Sequence, residues 1–135
     1  MGYTHYWRTS QEISPGTWEK ICTRVIAARE YLEAPLGQWE ITKDDICLNG
    51  EGEDGHETFY FTRVGDGFGF CKTARKKYDK LVVAALLLIE FTTEGSIRIS
   101  SDGDPDDLTL GRMIASQVVL DELDGLLNSM GGADE

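Results

Sequence analysis

The sequence HETFYFTRVGDGFGFCKT, at residues 56–73, decides the fold class. Aromatic and β-branched residues on either side of Gly65-Asp66-Gly67 predict two strands, at residues 56–64 and 68–73. Because Asp-Gly supplies the positive φ angles of a tight turn, the pattern predicts a β-hairpin. Strands joined by a hairpin are antiparallel, so a sheet that contains them is not wholly parallel.

Upstream of this segment, the sequence predicts a strand and then a helix. Residues 2–8 are rich in Tyr, Thr and Trp, and strand alternation places Tyr3, His5 and Trp7 on one face. Ser14-Pro15 predicts a helix start, because Ser caps the first free N–H groups and Pro fits the first turn. Apolar residues then recur at steps of three and four as far as Leu32, and Pro35 and Gly37 are expected to end the helix. A short strand is predicted at residues 45–49.

Downstream, the sequence predicts a buried helix, a strand and a last helix. Residues 81–91 are apolar nearly all round and favour a helix that is buried on most sides, and residues 96–100 alternate as a strand. Asp104-Pro105, followed by two more acids, predicts the start of the last helix. The apolar face of that helix is expected to comprise Leu108, Ile114, Ala115, Val118, Val119, Leu123, Leu126 and Leu127.

The predicted order is βαβββαβα, which indicates an α+β fold. We expect a single domain of about five mixed or antiparallel strands, with three helices packed mainly on one face. Removing the extra hairpin strand and the C-terminal helix leaves the ferredoxin-like order βαββαβ. The domain is expected to span residues 1–130, and residues 131–135 are expected to form a frayed acidic tail.

Composition excludes several classes of function. The chain has 135 residues and a formal net charge of −11, which argues against general binding to nucleic-acid backbone or to anionic membranes. Three widely spaced cysteines without a CxxC motif fit reduced cytosolic thiols, and no apolar run is long enough to span a membrane. No complete catalytic motif and no metal-ligand spacing is present, so no cofactor, metal or catalytic residue is predicted.

Residues 71–80 form a basic block on an otherwise acidic chain, with five basic side chains and one acidic side chain. This block lies between a predicted strand and a predicted helix start, where free N–H groups favour an anion. It is therefore a candidate anion site, and the alternative is a solvated charge run that pairs with acidic neighbours. The Ser101-Asp102-Gly103 turn likewise either forms an anion-binding nest or only caps the next helix.

The histidines and the thiol in the basic block each allow two interpretations. His5 either lines a pocket or is buried beside Tyr3 and Trp7, and His56 follows a glycine-rich loop without a triad partner at motif spacing. Basic neighbours lower the pKa of Cys71 if it is exposed, and the alternative is a buried, inert thiol. We expect Trp7 to face the helices, which leaves Tyr6 and Arg8 on the open side as a pair for stacking and phosphate binding.

Four sequence blocks stand out together: MGYTHYW at the start, GHETF at residues 55–59, FCKTARK-x-YD at residues 70–79 and SSDG at residues 100–103. Together they resemble a family of small uncharacterised proteins of bacteria and bacteriophages, which implies a bacterial cell as the location. The resemblance covers most of the chain but implies no assigned activity. Its link to bacteriophages favours a role in conflict between phage and host.

The resembling blocks are polar, aromatic and basic, and they fall at predicted strand ends and helix starts, where ligand sites gather. We therefore expect the first strand, His56, the basic block and the Ser101 turn to converge in space. The expected ligand-binding residues are His5, Tyr6, Arg8, His56, Lys72, Thr73, Arg75, Lys76, Ser101 and Asp102.

Three functions remain open from the sequence. The first is a protein that binds a small anionic ligand such as a nucleotide, and that sequesters a host immune signal on behalf of a phage. The second is an acidic module that blocks a host nucleic-acid-binding or defence protein. The third is a small phosphoesterase or hydrolase that uses a histidine as acid or base. Homo-oligomers are compatible with all three.

Overall fold

The structure is a computed structural model that describes residues 2–65 and 67–132. Within these residues, the chain forms three α-helices, six strands and one 3₁₀ turn at Gly52–Asp54. The helices are α1 (Pro15–Arg29), α2 (Asp79–Thr92) and α3 (Pro105–Gly132). The strands are β1 (Thr4–Thr9), β2 (Leu36–Ile41), β3 (Asp45–Gly50), β4 (Phe59–Thr62), β5 (Phe68–Lys72) and β6 (Ile97–Ser101).

The described strands form two antiparallel sheets. Sheet A has the order β5-β1-β6, and sheet B has the order β2-β3-β4. The expected α+β class with three helices is confirmed. The elements β1, α1, β4, β5, α2 and β6 follow the βαββαβ order, but the strands are divided between two small sheets.

The predicted hairpin at residues 56–73 is wrong, because β4 pairs with β3 while β5 pairs with β1. The Thr9 N–H donates to the Gly67 carbonyl at 2.8 Å, and the Thr9 hydroxyl accepts from the Gly67 N–H at 3.1 Å. These bonds fix the start of β5 on β1, so the segment between β4 and β5 connects the two sheets. Asp66, in the middle of the predicted turn, lies outside the described residues.

Strand β2 was not anticipated by the sequence pattern, which ended the first helix at Pro35 and Gly37 and assigned nothing to the following residues. The strand pairs with β3, and Leu36, Trp39 and Ile41 pack against the core. A Cβ at Gly37 would lie 2.9 Å from the Gly50 carbonyl oxygen, so this glycine permits a close approach of the two backbones. Gly37, which the sequence suggested as a helix terminator, therefore allows β2 to pair closely with β3.

Both predicted helix starts are confirmed. The Ser14 hydroxyl accepts from the Thr17 N–H at 3.3 Å, and Pro15 opens α1. At α3, the Asp104 carboxylate accepts from the Asp107 N–H, and the Asp107 carboxylate accepts from the Asp104 N–H, each at 3.1 Å. This reciprocal pair satisfies donors that a helix start leaves free.

The core forms around α2, which packs against α1, α3 and β6. Nine of its 14 residues are buried, as its apolar sequence predicted. The helices cover the face of sheet A that carries Tyr3, His5 and Trp7, whose exposures are 6%, 1% and 7%. The expected orientation of β1 is therefore confirmed, and the other face of sheet A is left open, apart from Thr4, which is buried.

The expected apolar face of the last helix is wrong over its second half. Ala115 and Val118 are buried, but Leu123, Leu126 and Leu127 are 51%, 60% and 62% exposed. The reason is length, because 28 residues at about 1.5 Å per residue extend roughly 42 Å. The helix therefore continues beyond the body that its first half packs against. Of the expected tail at residues 131–135, the backbone of 131–132 continues α3, and residues 133–135 lie outside the described residues.

Candidate functional site

The open face of sheet A presents a regular grid of side chains. Alternation along each strand sends every second residue to this face, and the strand register aligns them in rows. One row is Arg98, Arg8 and Phe68, and the next is Ser100, Tyr6 and Phe70. In a third row, Lys72 lies opposite Thr4, and the Asp102 N–H donates to the Thr4 carbonyl at 2.9 Å.

Three aromatic rings lie next to one another on this face. Phe68 and Phe70 are 52% and 48% exposed, and Tyr6 is half-buried beside them. The ring centroids of Tyr6 and Phe68 are 6.0 Å apart, and those of Phe68 and Phe70 are 6.4 Å apart. The Tyr6 hydroxyl donates to the Asp102 carboxylate at 3.1 Å. The face therefore offers flat apolar area with polar atoms at its edge.

The open face also carries two arginines, Arg8 and Arg98, whose positions lower the stability of the sheet. Arg8 lies directly opposite Arg98 in the strand register, and like charges in that position destabilise a sheet. Both side chains are exposed, and neither forms an ion pair within residues 2–65 and 67–132. The Arg8 guanidinium lies 5.7 Å from the centroid of the Phe68 ring. An anion bound between the two arginines would offset their repulsion.

A cleft adjoins the aromatic rings where the edges of the two sheets meet. It has a volume of about 500 Å³ and is lined by Trp7, Tyr60, Phe68, Gly69 and Phe70, among others. A Cβ at Gly69 would lie 2.3 Å from the Trp7 indole nitrogen, so the glycine makes room for that ring. This volume lies within the range of small-molecule sites.

The covered face of sheet A carries a buried polar network centred on Asp79. The Asp79 carboxyl accepts from the Tyr3 hydroxyl at 2.9 Å and from the Thr73 hydroxyl at 2.6 Å. The His5 Nε2 lies 2.6 Å from the same carboxyl. Burial first, and then the Asp79 charge, raise the pKa of Tyr3 above its ordinary value. These contacts join β1, the segment after β5 and the start of α2.

His5 extends this network to the end of β6. Its Nδ1 lies 2.8 Å from the Ser101 hydroxyl oxygen, which also accepts from the Gly103 N–H at 3.0 Å. With Nε2–H donating to Asp79, Nδ1 is left to accept from the Ser101 hydroxyl. The array of hydroxyl, imidazole and carboxyl can move a proton from Ser101 to His5.

Arg75 lies at the rim of this network and is already paired. Its guanidinium donates to the Asp107 carboxylate at 3.0 and 3.1 Å and lies 4.2 Å from the centroid of the Tyr3 ring. The hydrogen bond between Arg75 and Asp107 lowers the pKa of the Asp107 carboxyl and raises the pKa of the Arg75 guanidinium. Ala74 and Arg75 both have positive φ, 52° and 55°, which is strained for residues with a side chain. The turn positions Arg75 for its carboxylate rather than for the open face.

The structure brings most of the expected site residues to sheet A but divides them between its faces. Tyr6, Arg8, Lys72 and Asp102 accompany the open face, and His5, Thr73 and Ser101 belong to the buried network. His56 is exposed; its backbone N–H donates to the Asn49 side-chain oxygen, and its carbonyl accepts from the Asn49 side-chain amide, each at 3.0 Å. Lys76 is half-buried, and its backbone N–H donates to the Thr73 carbonyl at 3.0 Å.

Sequence reasoning missed Phe68, Phe70 and Arg98 on the open face, and Asp79 at the centre of the network. Alternation in residues 68–72 and 97–101 holds the signal for the first three, because it places each of them on the face opposite to Cys71 or Ile97. Assigning that face also requires the register with β1, which only the folded chain provides.

The cysteines provide no activated thiol. Burial raises the pKa of Cys71 to about 12 and that of Cys22 to about 11. Cys71 is completely buried, which supports the interpretation as an inert thiol over that as an exposed, reactive one. Cys22 is only partly buried and packs against the core.

Comparison with protein-family models, curated proteins and solved structures gave no match for this chain. Within the described residues, no helix is both long enough and apolar enough to cross a membrane.

Proposed function

We propose that the open face of sheet A binds a small anionic ligand that carries a planar aromatic group, as a nucleotide does. The observation that carries this proposal is the direct opposition of Arg8 and Arg98, two exposed arginines in one cross-strand pair. Such a pair lowers stability, whereas it suits a phosphate that takes hydrogen bonds from both guanidinium groups.

The aromatic rings supply the second half of the recognition. A base stacked on Phe70 or Phe68 covers rings that are now about half exposed, and such stacking contributes about 1–3 kcal/mol per base. Asp102 and the Tyr6 hydroxyl lie at the edge of the same face and provide polar contacts for a sugar or a base edge. Under this proposal, a phage protein acts in the bacterial cytoplasm by sequestering a nucleotide signal of its host.

Calorimetric titration with a panel of mononucleotides, cyclic nucleotides and ADP-ribose derivatives tests the proposal. We expect at least one ligand to bind, and Phe70→Ala to weaken its affinity roughly 5- to 150-fold. Arg98→Gln is expected to abolish binding, while the exposed Arg112→Gln, on α3, serves as the matched control and leaves it unchanged. Silence across the panel, or equal binding by the Arg98→Gln variant, would refute the proposal.

A second candidate function is supported by the array of Ser101, His5 and Asp79. In a hydrolase reading, His5 Nδ1 takes the hydroxyl proton while Ser101 Oγ bonds to an acyl or phosphoryl centre, and the leaving group departs with that proton. Here the hydroxyl is bonded to Nδ1 and the carboxyl to Nε2, the reverse of the usual serine-hydrolase arrangement. Labelling with a fluorophosphonate, read by mass spectrometry, distinguishes a hydrolase from a binding protein. If Ser101 is a nucleophile, the protein gains the mass of the label and the Ser101→Ala variant does not.

A further inference from the structure

Helix α3 carries a second apolar row that points away from the body of the protein. The row follows alternating steps of three and four residues, the spacing of a coiled-coil seam. Its members are Met113, Ser116, Leu120, Leu123, Leu127 and Met130. All six are exposed, whereas Gly111, Ala115 and Val118, toward the other side of the helix, are buried. We call these six residues the seam.

The seam is too apolar to be explained by the protein's own packing. Leu120, Leu123, Leu127 and Met130 are 51%, 51%, 62% and 64% exposed. Residues 120–130 are all exposed, and the hydrogen bonds that the rest of the described chain makes to this half of the helix are those from Tyr31 to Asp121 and from Arg24 to Glu122. Exposed leucines at regular heptad spacing are the pattern by which one helix recognises another.

A groove runs beside the first half of the seam, and its charged lining residues are two lysines and one glutamate, Glu33. It has a volume of about 790 Å³ and is lined by Tyr31, Lys77, Lys80, Leu110 and Met113, among others. Within the described residues, neither lysine forms an ion pair. With two lysines against one glutamate, the groove keeps a net positive charge and suits an apolar helix that brings a carboxylate beside the lysines.

The second half of α3 has this chemistry. Asp121, Glu122 and Asp124 lie among its leucines, and residues 119–130 contain no basic residue. Asp121 is bonded to Tyr31 and Glu122 to Arg24 of the same chain, which leaves Asp124 beside the seam. The midpoint of α3, Pro105–Gly132, lies near residue 118. When two copies of α3 overlap antiparallel over their whole length, Asp124 of one copy therefore reaches the level of Met113 in the other. At that level, the groove places Lys77 and Lys80.

The geometry points to a symmetric dimer in which the α3 seams of two copies pair antiparallel. The overhanging half of each helix then covers the groove of the other copy, so one patch meets its own copy as a two-fold axis requires. A parallel pair would set the acidic halves side by side, while the antiparallel pair sets each beside the partner's lysines. This inference does not depend on the proposed ligand function.

Sedimentation or light scattering over a range of concentrations tests the dimer. We expect the double variant Leu120→Gln/Leu127→Gln to raise the dimer dissociation constant roughly 100-fold, because four half-exposed leucines leave the interface. The control Ile26→Gln changes an exposed apolar residue on α1 and is expected to leave the constant unchanged. A monomer at all concentrations, or equal association by the double variant, overturns the inference.

Charge exchange tests the antiparallel arrangement. Lys80→Glu and Asp124→Lys are each expected to weaken association, since each places like charges across the interface. Mixing the two variants restores dimers, because residue 80 of each chain then meets an opposite charge at residue 124 of the other. Association that neither single variant weakens, or that mixing does not restore, overturns the antiparallel pairing.

Discussion

Strand β1 contributes side chains to both faces of sheet A, and alternate residues point either to the helices or to solvent. Toward the helices, the polar atoms of Tyr3 and His5 are all bonded, and no buried side-chain nitrogen or oxygen in the described chain lacks a partner. Toward solvent, Arg8 opposes another arginine and lies against an exposed phenylalanine. The polar groups of the covered face thus all have partners, whereas the open face carries a like-charge pair that lowers the stability of the sheet.

The strongest test of this contrast is to remove one carboxylate from each face. Asp79→Ala leaves the hydroxyls of Tyr3 and Thr73 and the His5 ring without their acceptor, so we expect it to lower the free energy of unfolding by about 3–5 kcal/mol. Asp102→Ala removes one bond to an exposed hydroxyl and is expected to cost within about 0.5 kcal/mol. Urea unfolding of both variants gives the comparison, and equal losses would erase the distinction between the faces.

A smaller effect is expected where β5 makes room for Trp7. Gly69→Ala places a methyl group where the indole lies, so we expect a loss of about 1–3 kcal/mol. Gly125→Ala is the matched control, since nothing lies within 4 Å of a Cβ there and an alanine favours the helix by roughly 0.5–1 kcal/mol. In the variant Trp7→Leu, the cost of Gly69→Ala should fall. A constant cost would show that the indole is not the obstacle.

The covered face also predicts how stability depends on alkaline pH. Burial raises the pKa of Cys71 to about 12, whereas a free thiol titrates near 8.5. A group whose pKa rises on folding stabilises the fold below its unfolded pKa, and that contribution is lost as the pH rises toward the folded value. We therefore expect the free energy of unfolding to fall above about pH 9. Cys71→Ala should make the fall between about pH 8.5 and 10 shallower, and Cys22, whose pKa is also raised, accounts for part of the remaining slope. An unchanged slope would contradict the assignment.

The local patterns predicted the helices well because their signals are contained within short segments. The Ser14-Pro15 start, the all-round apolar α2 and the Asp104-Pro105 start each depend on neighbours in sequence. The buried face of β1 was also predictable, since Tyr3 and Trp7 make their face bulkier and more apolar than the face that carries Thr4, Tyr6 and Arg8.

Long-range pairing was not predictable from the same patterns. The residues around Gly65 and Gly67 are typical of a hairpin turn, which would pair β5 with β4. In the folded chain, β5 instead pairs with β1. The site residues on the open face depend on that pairing, since Phe68 and Phe70 become neighbours of Tyr6 only in this register. Arg98 joins them from β6, 90 positions after Arg8 along the chain.

The smallest expected effect has the opposite sign to the others and separates binding from stability. Arg98→Gln removes one member of the like-charge pair with Arg8, so we expect the free energy of unfolding to rise by about 0.2–1 kcal/mol. Because both charges are exposed, this gain should shrink in 1 M salt, where the screening length is about 3 Å. The same variant is expected to lose the anionic ligand. If Arg98→Gln instead destabilises the protein, the arginine has a structural partner, and the argument that the pair exists for an anion fails.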